Sequence, residues 1–307
     1  MKSILLLILA ISLSACRPSP PSESEVKLTL ISPRGAPAFA LIPLLNQGLD
    51  AIEFVDGADV LSAELLKGEA DLVVAPINLG AQLAQRGDFP YRVYAILTWG
   101  NLYVVAREDA AMDAELALFG RESVPGLLFR TLVSERYASA NLQGYSSVNE
   151  VLAQLLAGQV QRALLAEPSL SIAQMRAREQ GWTLSVEEDF QARWREFSQS
   201  HNYPQAALFV RADLPEATLC VVAERFEVMQ AFISGLSGNS ASLQESLRTL
   251  NLSDLGLPDI HVLAQVWTRM SVDPRLAIDE KSSIEAFLEL FGWAGLENFY
   301  LQGDSLD

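Results

Sequence analysis

One short pattern occurs twice in this chain and constrains its fold more than any other feature. Ala63-Glu64-Leu65-Leu66-Lys67-Gly68-Glu69-Ala70-Asp71 leads into Val73-Val74-Ala75-Pro76, and Ala153-Gln154-Leu155-Leu156-Ala157-Gly158-Gln159-Val160-Gln161 leads into Leu164-Leu165-Ala166-Glu167-Pro168. Each copy reads as a helix, a glycine able to take the left-handed cap, a buried strand and a closing proline. Helix-strand units of this kind also resemble one another by chance. The pair is too sparse for a solenoid, and it favours two similar halves.

The segments around the first copy extend the pattern. Val26 to Ile31 alternates like a strand, and Ser32-Pro33-Arg34-Gly35-Ala36-Pro37 leads into an apolar helix through about Leu45. Pro37 suits the first turn of that helix. Ala51 to Val55 reads as a second strand, Asp59 to Leu66 as a helix stopped at Gly68, and Asp71 to Ala75 as a third strand. Strands alternating with helices indicate an α/β sheet with parallel strands. Tyr91 to Thr98, Leu102 to Ala106 and Ala206 to Val210 are also strand-like, so Trp99-Gly100-Asn101 and Asn202-Tyr203-Pro204-Gln205 are candidate crossings between lobes. From Leu214 onward the chain reads as mainly helical. Phe226, Met229, Gln230, Phe232 and Ile233 form one apolar face, and Ile284, Phe287, Leu288 and Phe291 another. Glu297 to Gly303 resembles a scrambled protease recognition site and is read as native tail.

The amino terminus carries a different signal. Lys2 precedes an apolar run from Ile4 to Leu13, which is shorter than the roughly 20 residues of a membrane-spanning helix and matches the core of a secretory signal. It ends in Leu13-Ser14-Ala15-Cys16, which resembles the lipobox of bacterial lipoproteins. That resemblance implies cleavage before Cys16 and attachment of palmitate-class acyl chains to it. The other reading is an ordinary signal cut after Ala15. Arg17 to Glu25, rich in Pro, Ser and Glu, reads as a flexible tether.

Composition excludes several function classes. The chain has 307 residues and a net charge of −16, which argues against nucleic acid and against broad adhesion to anionic lipid. A local cleft can still hold an anion. Cys16 and Cys220 are the two cysteines. With Cys16 acylated no disulfide within the chain is possible, and Cys220, in an apolar helical stretch, reads as a small core residue. His201 and His261 lie far apart in sequence, so no metal site is expected. There is no phosphate loop ending in Gly-Lys-Ser/Thr, no nucleophile elbow and no His-Glu-x-x-His, and no catalytic residue or cofactor is expected.

Four strand-to-helix turns stand out instead. Ligands of open α/β sheets sit outside the carboxyl ends of the strands, where helix N-termini present unpaired N–H groups. Ser32 to Pro37 offers a hydroxyl and Arg34; Asp56-Gly57-Ala58 offers close backbone approach; Pro76-Ile77-Asn78 offers an amide; Thr98-Trp99-Gly100-Asn101 offers a hydroxyl, a ring and an amide. Each turn alone is as readily structural as functional.

These segments resemble the substrate-binding lipoproteins of bacterial ABC importers, in the branch that takes up nitrate, sulfonates, taurine and thiamine precursors. The likeness rests on Val55-Asp56-Gly57-Ala58, Gly68-Glu69-Ala70-Asp71 before Ala75-Pro76, Thr98 to Asn101, Ala166-Glu167-Pro168 and Tyr203-Pro204-Gln205-Ala206, and runs from about Val26 to about Phe291. It implies an α/β type II periplasmic binding protein with a ligand cleft between two lobes. Residues 26–100 plus 206–307 would form one lobe and 101–205 the other, behind a signal at 1–15 and a tether at 16–25. The implied function is capture of a small organic or oxyanion solute, sulfonate-like or vitamin-precursor-like, outside the cytoplasm. Lobe closure would then deliver it to an ABC permease and its ATPase, from a monomer anchored through Cys16. The implied ligand residues are Ser32, Arg34, Gly35, Gly57, Asn78, Thr98, Trp99, Asn101, Glu167 and Tyr203. The scarcity of cationic residues departs from a simple oxyanion pattern. The alternatives are an enzyme on the same fold acting on a small heterocyclic or carboxylate metabolite, against which the export signal argues, and a lipoprotein that delivers its ligand to a sensor.

Overall fold

The computed structural model describes residues 26–301, apart from 49, 88, 112, 122, 199, 237–239 and 297. The signal segment, Cys16 and the tether therefore lie outside the described residues. The amino-terminal part contains β1 (Thr29–Pro33), α1 (Ala36–Ala40), α2 (Ile42–Gln47), β2 (Ala51–Val55), α3 (Ala58–Lys67), β3 (Leu72–Pro76), α4 (Ile77–Gln85) and β4 (Tyr91–Trp99). The middle contains β5 (Leu102–Arg107), β6 (Leu116–Phe119), α5 (Val124–Leu132), β7 (Leu142–Tyr145), α6 (Val148–Leu156), β8 (Arg162–Ala166), α7 (Ser169–Glu179), β9 (Leu184–Asp189) and α8 (Phe190–Ser198). The rest contains β10 (Pro204–Arg211), α9 (Glu216–Gly235), α10 (Ser240–Leu247), α11 (Ile260–Val266), β11 (Val272–Leu276) and α12 (Lys281–Glu289). Two 3₁₀ turns lie at Ser134–Tyr137 and Trp267–Met270.

The strands form two sheets, ordered β11-β4-β10-β3-β1-β2 and β7-β6-β8-β5-β9. Five strands of the first match the second place for place. β3 is parallel to β1 and antiparallel to β10; β8 is parallel to β6 and antiparallel to β5. The repeated sequence unit thus has a structural meaning, because α3-β3 and α6-β8 occupy equivalent positions. Gly68 and Gly158 both take positive φ, 67° and 72°, where the chain turns from helix to strand. Glycine meets that requirement without the Cβ clash of other residues.

The expected parallel sheet is mixed. β1, β2, β3 and β4 run toward the edge where the sheets meet. The chain crosses there after Trp99, so β5 must start at that edge and run away from it. The return after β9 and α8 makes β10 antiparallel for the same reason. Strand direction is therefore dictated by the double crossing, which local sequence does not reveal.

Helices cover both faces of the first sheet, which is why Leu72, Val73, Val74 and Ala75 are all buried. Val73 and Ala75 belong to a cluster with Phe209, Ile284, Phe287 and Leu288; Leu72 and Val74 to one with Phe39, Phe226, Met229 and Ile233. Both predicted helical faces are thus core, with Phe232 and Phe291 partly buried against them. Cys220 is half-buried rather than a core residue. β11 departs from the helical reading of the carboxyl-terminal region. Its sequence Val-Asp-Pro-Arg-Leu is poor strand material, tolerated because it lies at the sheet edge with a register break beside β4.

The tail adds a final tie to β4. Val93 N–H donates to the Phe299 carbonyl at 2.7 Å, Leu301 N–H to the Val93 carbonyl at 3.0 Å, and the Phe299 ring is buried against Phe209. Phe299→Ala is expected to cost about 3–5 kcal/mol, as for other buried rings. Chemical denaturation measures it, and a loss below about 1 kcal/mol would show that the tail is dispensable.

Candidate functional site

The strand ends place the predicted turns together. Phe54 pairs with Ser32, Pro76 with Ala206, Ala206 with Thr98, and Thr98 with Val272, so these residues follow one edge of the first sheet. In the second sheet Leu102 pairs with Ala166, and Tyr103 with Asp189. Gly100 and Asn101 join the two edges, which makes the turns after β1, β2 and β3 neighbours of the inter-lobe crossing.

The turn after β1 is engaged by its own chain. Ser32 is fully buried, and its hydroxyl donates to the Pro33 carbonyl at 3.0 Å. Arg34 Nε donates to the Asp254 carbonyl at 2.8 Å, and Nη1 pairs with Asp56 Oδ2 at 2.5 Å. Gly35, at φ 89°, donates its N–H to the Leu255 carbonyl at 2.8 Å. The segment around Gly256 is pressed against Arg34, whose Cβ lies 2.9 Å from where a Cβ on Gly256 would stand. The Arg34–Asp56 pair is exposed on the Asp56 side, where screening by water leaves it weak.

The next two turns are more open. Gly57 is exposed at φ 93° with no atom near its missing Cβ, and precedes α3 with no side-chain cap. Asn78 lies in the first turn of α4, and its Oδ1 is buried without a hydrogen-bond partner. A buried acceptor in that state costs free energy until a donor reaches it.

Thr98, Trp99, Asn101 and Tyr203 build the crossing itself. Thr98 Oγ1 accepts from Ala206 N–H at 3.2 Å, mending the ladder where β10 breaks register. Trp99 is 1% exposed; its Nε1 donates to the Asp273 carbonyl at 2.9 Å, and His201 lies against its ring at 4.3 Å. Asn101 Nδ2 donates to the Glu167 carbonyl at 3.3 Å, and its own carbonyl accepts from Glu167 N–H at 3.2 Å. The Tyr203 hydroxyl accepts from Leu102 N–H at 3.3 Å and donates to Gln191 Oε1 at 2.9 Å, with the ring between Trp194 and Phe287. Trp99 and Tyr203, two of the implied ligand residues, thus have their rings packed against His201 in the first case and against Trp194 and Phe287 in the second.

Glu167 is a buried carboxylate at the same crossing. Its Oε1 meets Arg269 Nε at 2.9 Å, and its Oε2 accepts from Ser171 N–H at 3.2 Å. Burial pushes its carboxyl above the usual range, while Arg269 and Ser171 pull it back. Sequence reasoning missed Arg269, Ser171, Gln191 and His201. None sits in a motif; Ser171 meets Glu167 four residues earlier at the start of α7, whereas Arg269, Gln191 and His201 meet their partners across the crossing. Two surface concavities include none of the predicted ligand residues in their lining, although Asp273 and Arg275 of the first contact Trp99. One, of about 520 Å³, lies between α9 and β11 beside Gln230 and Arg275; the other, of about 390 Å³, lies around Arg136, Glu188 and Arg193. No group of His, Cys, Asp and Glu among the described residues could hold a metal ion.

His201 supplies a pH prediction. Burial beside Trp99, with Arg275 nearby, holds its imidazole below the usual value of 6.5, against the pull of Glu280 and Asp273. The unfolded chain then takes up the proton more readily, so this contribution to stability is lost as pH falls from about 6.5 toward the folded value. Thermal unfolding at pH 7.5 and 5.5 is expected to show a smaller drop in Tm for His201→Gln than for the parent. Equal drops would remove His201 from the account.

No protein-family model and no curated protein matches the chain. Solved structures do. An ABC transporter structure from Parabacteroides distasonis aligns over 91% of this chain and 94% of its own, at 21% identity and a TM-score of 0.70. A zinc-bound ligand-binding component of an ABC-type import system from Staphylococcus aureus aligns over 92% and 98%, at 14% identity and a TM-score of 0.65. The periplasmic aliphatic sulphonate binding protein of Escherichia coli aligns over 91% and 93%, at 13% identity and a TM-score of 0.63. At these identities the likeness carries the fold, and with the two matched sheets it establishes that the chain has the two-lobe α/β fold of periplasmic binding proteins.

Proposed function

We propose that this protein is the extracytoplasmic solute-binding component of an ABC importer, which captures a small organic or oxyanion solute and passes it to a permease and its ATPase. The observation that carries the reading is the meeting of two lobes at the edge where the first sheet's turns open, with Asn78 Oδ1 buried there and unpaired. A solute donor would satisfy that acceptor, while Gly57 allows close backbone approach. The resemblance of the turns to importer components supports the same reading, as do fold neighbours that include a ligand-binding component of an ABC-type import system and a periplasmic aliphatic sulphonate binding protein.

The solute is sulfonate-like or vitamin-precursor-like, held by hydrogen bonds and neutral polar contacts more than by bare charge, since Arg34 and Arg269 already have acidic partners. Arg34, Gly35 and Gly57 form the accessible part of the proposed site, with Asn78 Oδ1 buried at the same edge. Ser32, Thr98, Trp99, Asn101, Glu167 and Tyr203 set its shape from behind. Lobe closure is a hinge motion at the crossing, shifted by differential affinity for the closed form. The lobes divide as 26–100 plus 206–307 and 101–205. The protein acts as a monomer, without cofactor, tethered through acylated Cys16. No helix among the described residues is long and apolar enough to cross a membrane.

Two measurements test this. Calorimetric titration with alkanesulfonates, carboxylates and aminopyrimidines is expected to find one class that binds. Asn78→Ala should weaken that class by about 2- to 13-fold, the worth of one neutral hydrogen bond, and unchanged affinity would remove Asn78 from the site. Separately, Cys16→Ser is expected to move the protein from the membrane to the soluble fraction; retention through lipid in that variant would sink the anchor.

A further inference from the structure

Besides the two chain crossings and the Trp194–Phe287 ring contact, the lobes share a polar side-chain network. Arg269 belongs to the 3₁₀ turn Trp267–Met270, which is fixed in the first lobe by the fully buried Met270. Its guanidinium reaches the second lobe. Nε meets Glu167 Oε1 at 2.9 Å, and Nη2 donates to Ser171 Oγ at 2.7 Å. Ser171 in turn lies 2.9 and 2.8 Å from the two carboxylate oxygens through Oγ, and donates its N–H to Oε2 at 3.2 Å. α11, just before Arg269, packs against α7, which carries Ser171.

The two partners differ in their access to water. The Glu167 side chain is 0% exposed and the Arg269 side chain 43%. A carboxylate with no solvent depends on the partners that reach it. The first turn of α7 supplies one through Ser171 N–H, and the favourable end of the helix dipole. Among the described residues, the opposing charge comes from Arg269 of the other lobe. The contact uses two donors of one planar guanidinium, which holds the arginine in one orientation. When the lobes separate, Arg269 leaves with the first lobe while Glu167 and Ser171 stay with the second.

We infer that Arg269 is a clasp that fastens the two lobes together by gripping Glu167 and Ser171, and that it biases the protein toward the closed arrangement through the chain's own atoms. Opening exchanges this grip for water on both sides, so the clasp sets the population of the open form. It goes beyond the solute-binding reading and stands on the network alone, whatever the ligand is.

A variant cycle read in the absence of added solute tests it. Arg269→Gln, Glu167→Gln and the double variant are compared with the parent by small-angle scattering and by amide hydrogen exchange at Ser171. Each single variant is expected to scatter with a larger radius of gyration and to exchange the Ser171 amide at least tenfold faster. The double variant should match the singles rather than add to them, as expected for partners in one contact. Arg269→Lys should restore part of the exchange protection. Scattering superimposable on the parent's together with unchanged Ser171 exchange would overturn the clasp. If Arg269→Gln does not fold, the double variant, which buries no unpaired charge, decides on the same two readouts. Solute affinity is not read in this experiment, so the clasp and the solute-binding proposal fail or survive separately.

Discussion

Everything in this fold hangs on Gly100 lying against Tyr203. A Cβ on Gly100 would stand 2.1 Å from the Tyr203 ring, closer than atoms can approach, so one crossing strand has surrendered its side chain to let the other pass. Gly100 N–H donates to the Tyr203 carbonyl at 2.8 Å, and Asn202 Nδ2 donates to the Gly100 carbonyl at 3.1 Å. The two crossings therefore form a single hydrogen-bonded joint with the Tyr203 ring as its centre. Trp194 from the second lobe and Phe287 from the first both pack on that ring. The joint sets the direction of β5 and β10, and that direction brings the carboxyl ends of the parallel strands to face the junction. The candidate site exists because the chain crosses there.

The charge pattern near the joint is unlike that of the chain as a whole. The protein carries a net charge of −16, yet each of three arginines at the crossing is held by acidic groups. Arg34 holds Asp56, Arg269 holds Glu167, and Arg275 holds Asp273 and Glu280 while lying over Trp99. The exposed pairs, those of Arg34 with Asp56 and Arg275 with Asp273, contribute little to stability. Their effect is local: they leave the junction close to neutral inside a strongly acidic molecule. A site of that balance recognises a ligand through hydrogen bonds and shape, and binding depends less on ionic strength than it would in a bare cationic pocket.

Much of this was legible in the sequence, and the remainder was not for physical reasons. The repeated helix-glycine-strand-proline unit foretold two equivalent halves, because burial of a short strand between helices imposes the same residues each time. The crossings at Trp99 to Asn101 and Asn202 to Gln205 were also readable, since both interrupt strands with small or ring-bearing residues. What sequence could not tell was which groups these residues would meet. Trp99 and Tyr203 have the aromatic faces a ligand site wants, yet the fold uses them to fill the joint. Arg34 has the charge an anion wants, yet Asp56 and the Asp254 carbonyl, 22 and 220 residues away, arrive first. β11 was hidden because an edge strand can be built from residues that disfavour strands.

The central claim is that the joined lobes bind a small solute and release it unchanged. Native mass spectrometry of the intact protein, before and after incubation with sulfonates, carboxylates and aminopyrimidines, tests it most directly. The account predicts the addition of one solute mass per chain from a single chemical class, with the same mass recovered on denaturation. No addition from any class, or recovery of a converted product, would contradict it.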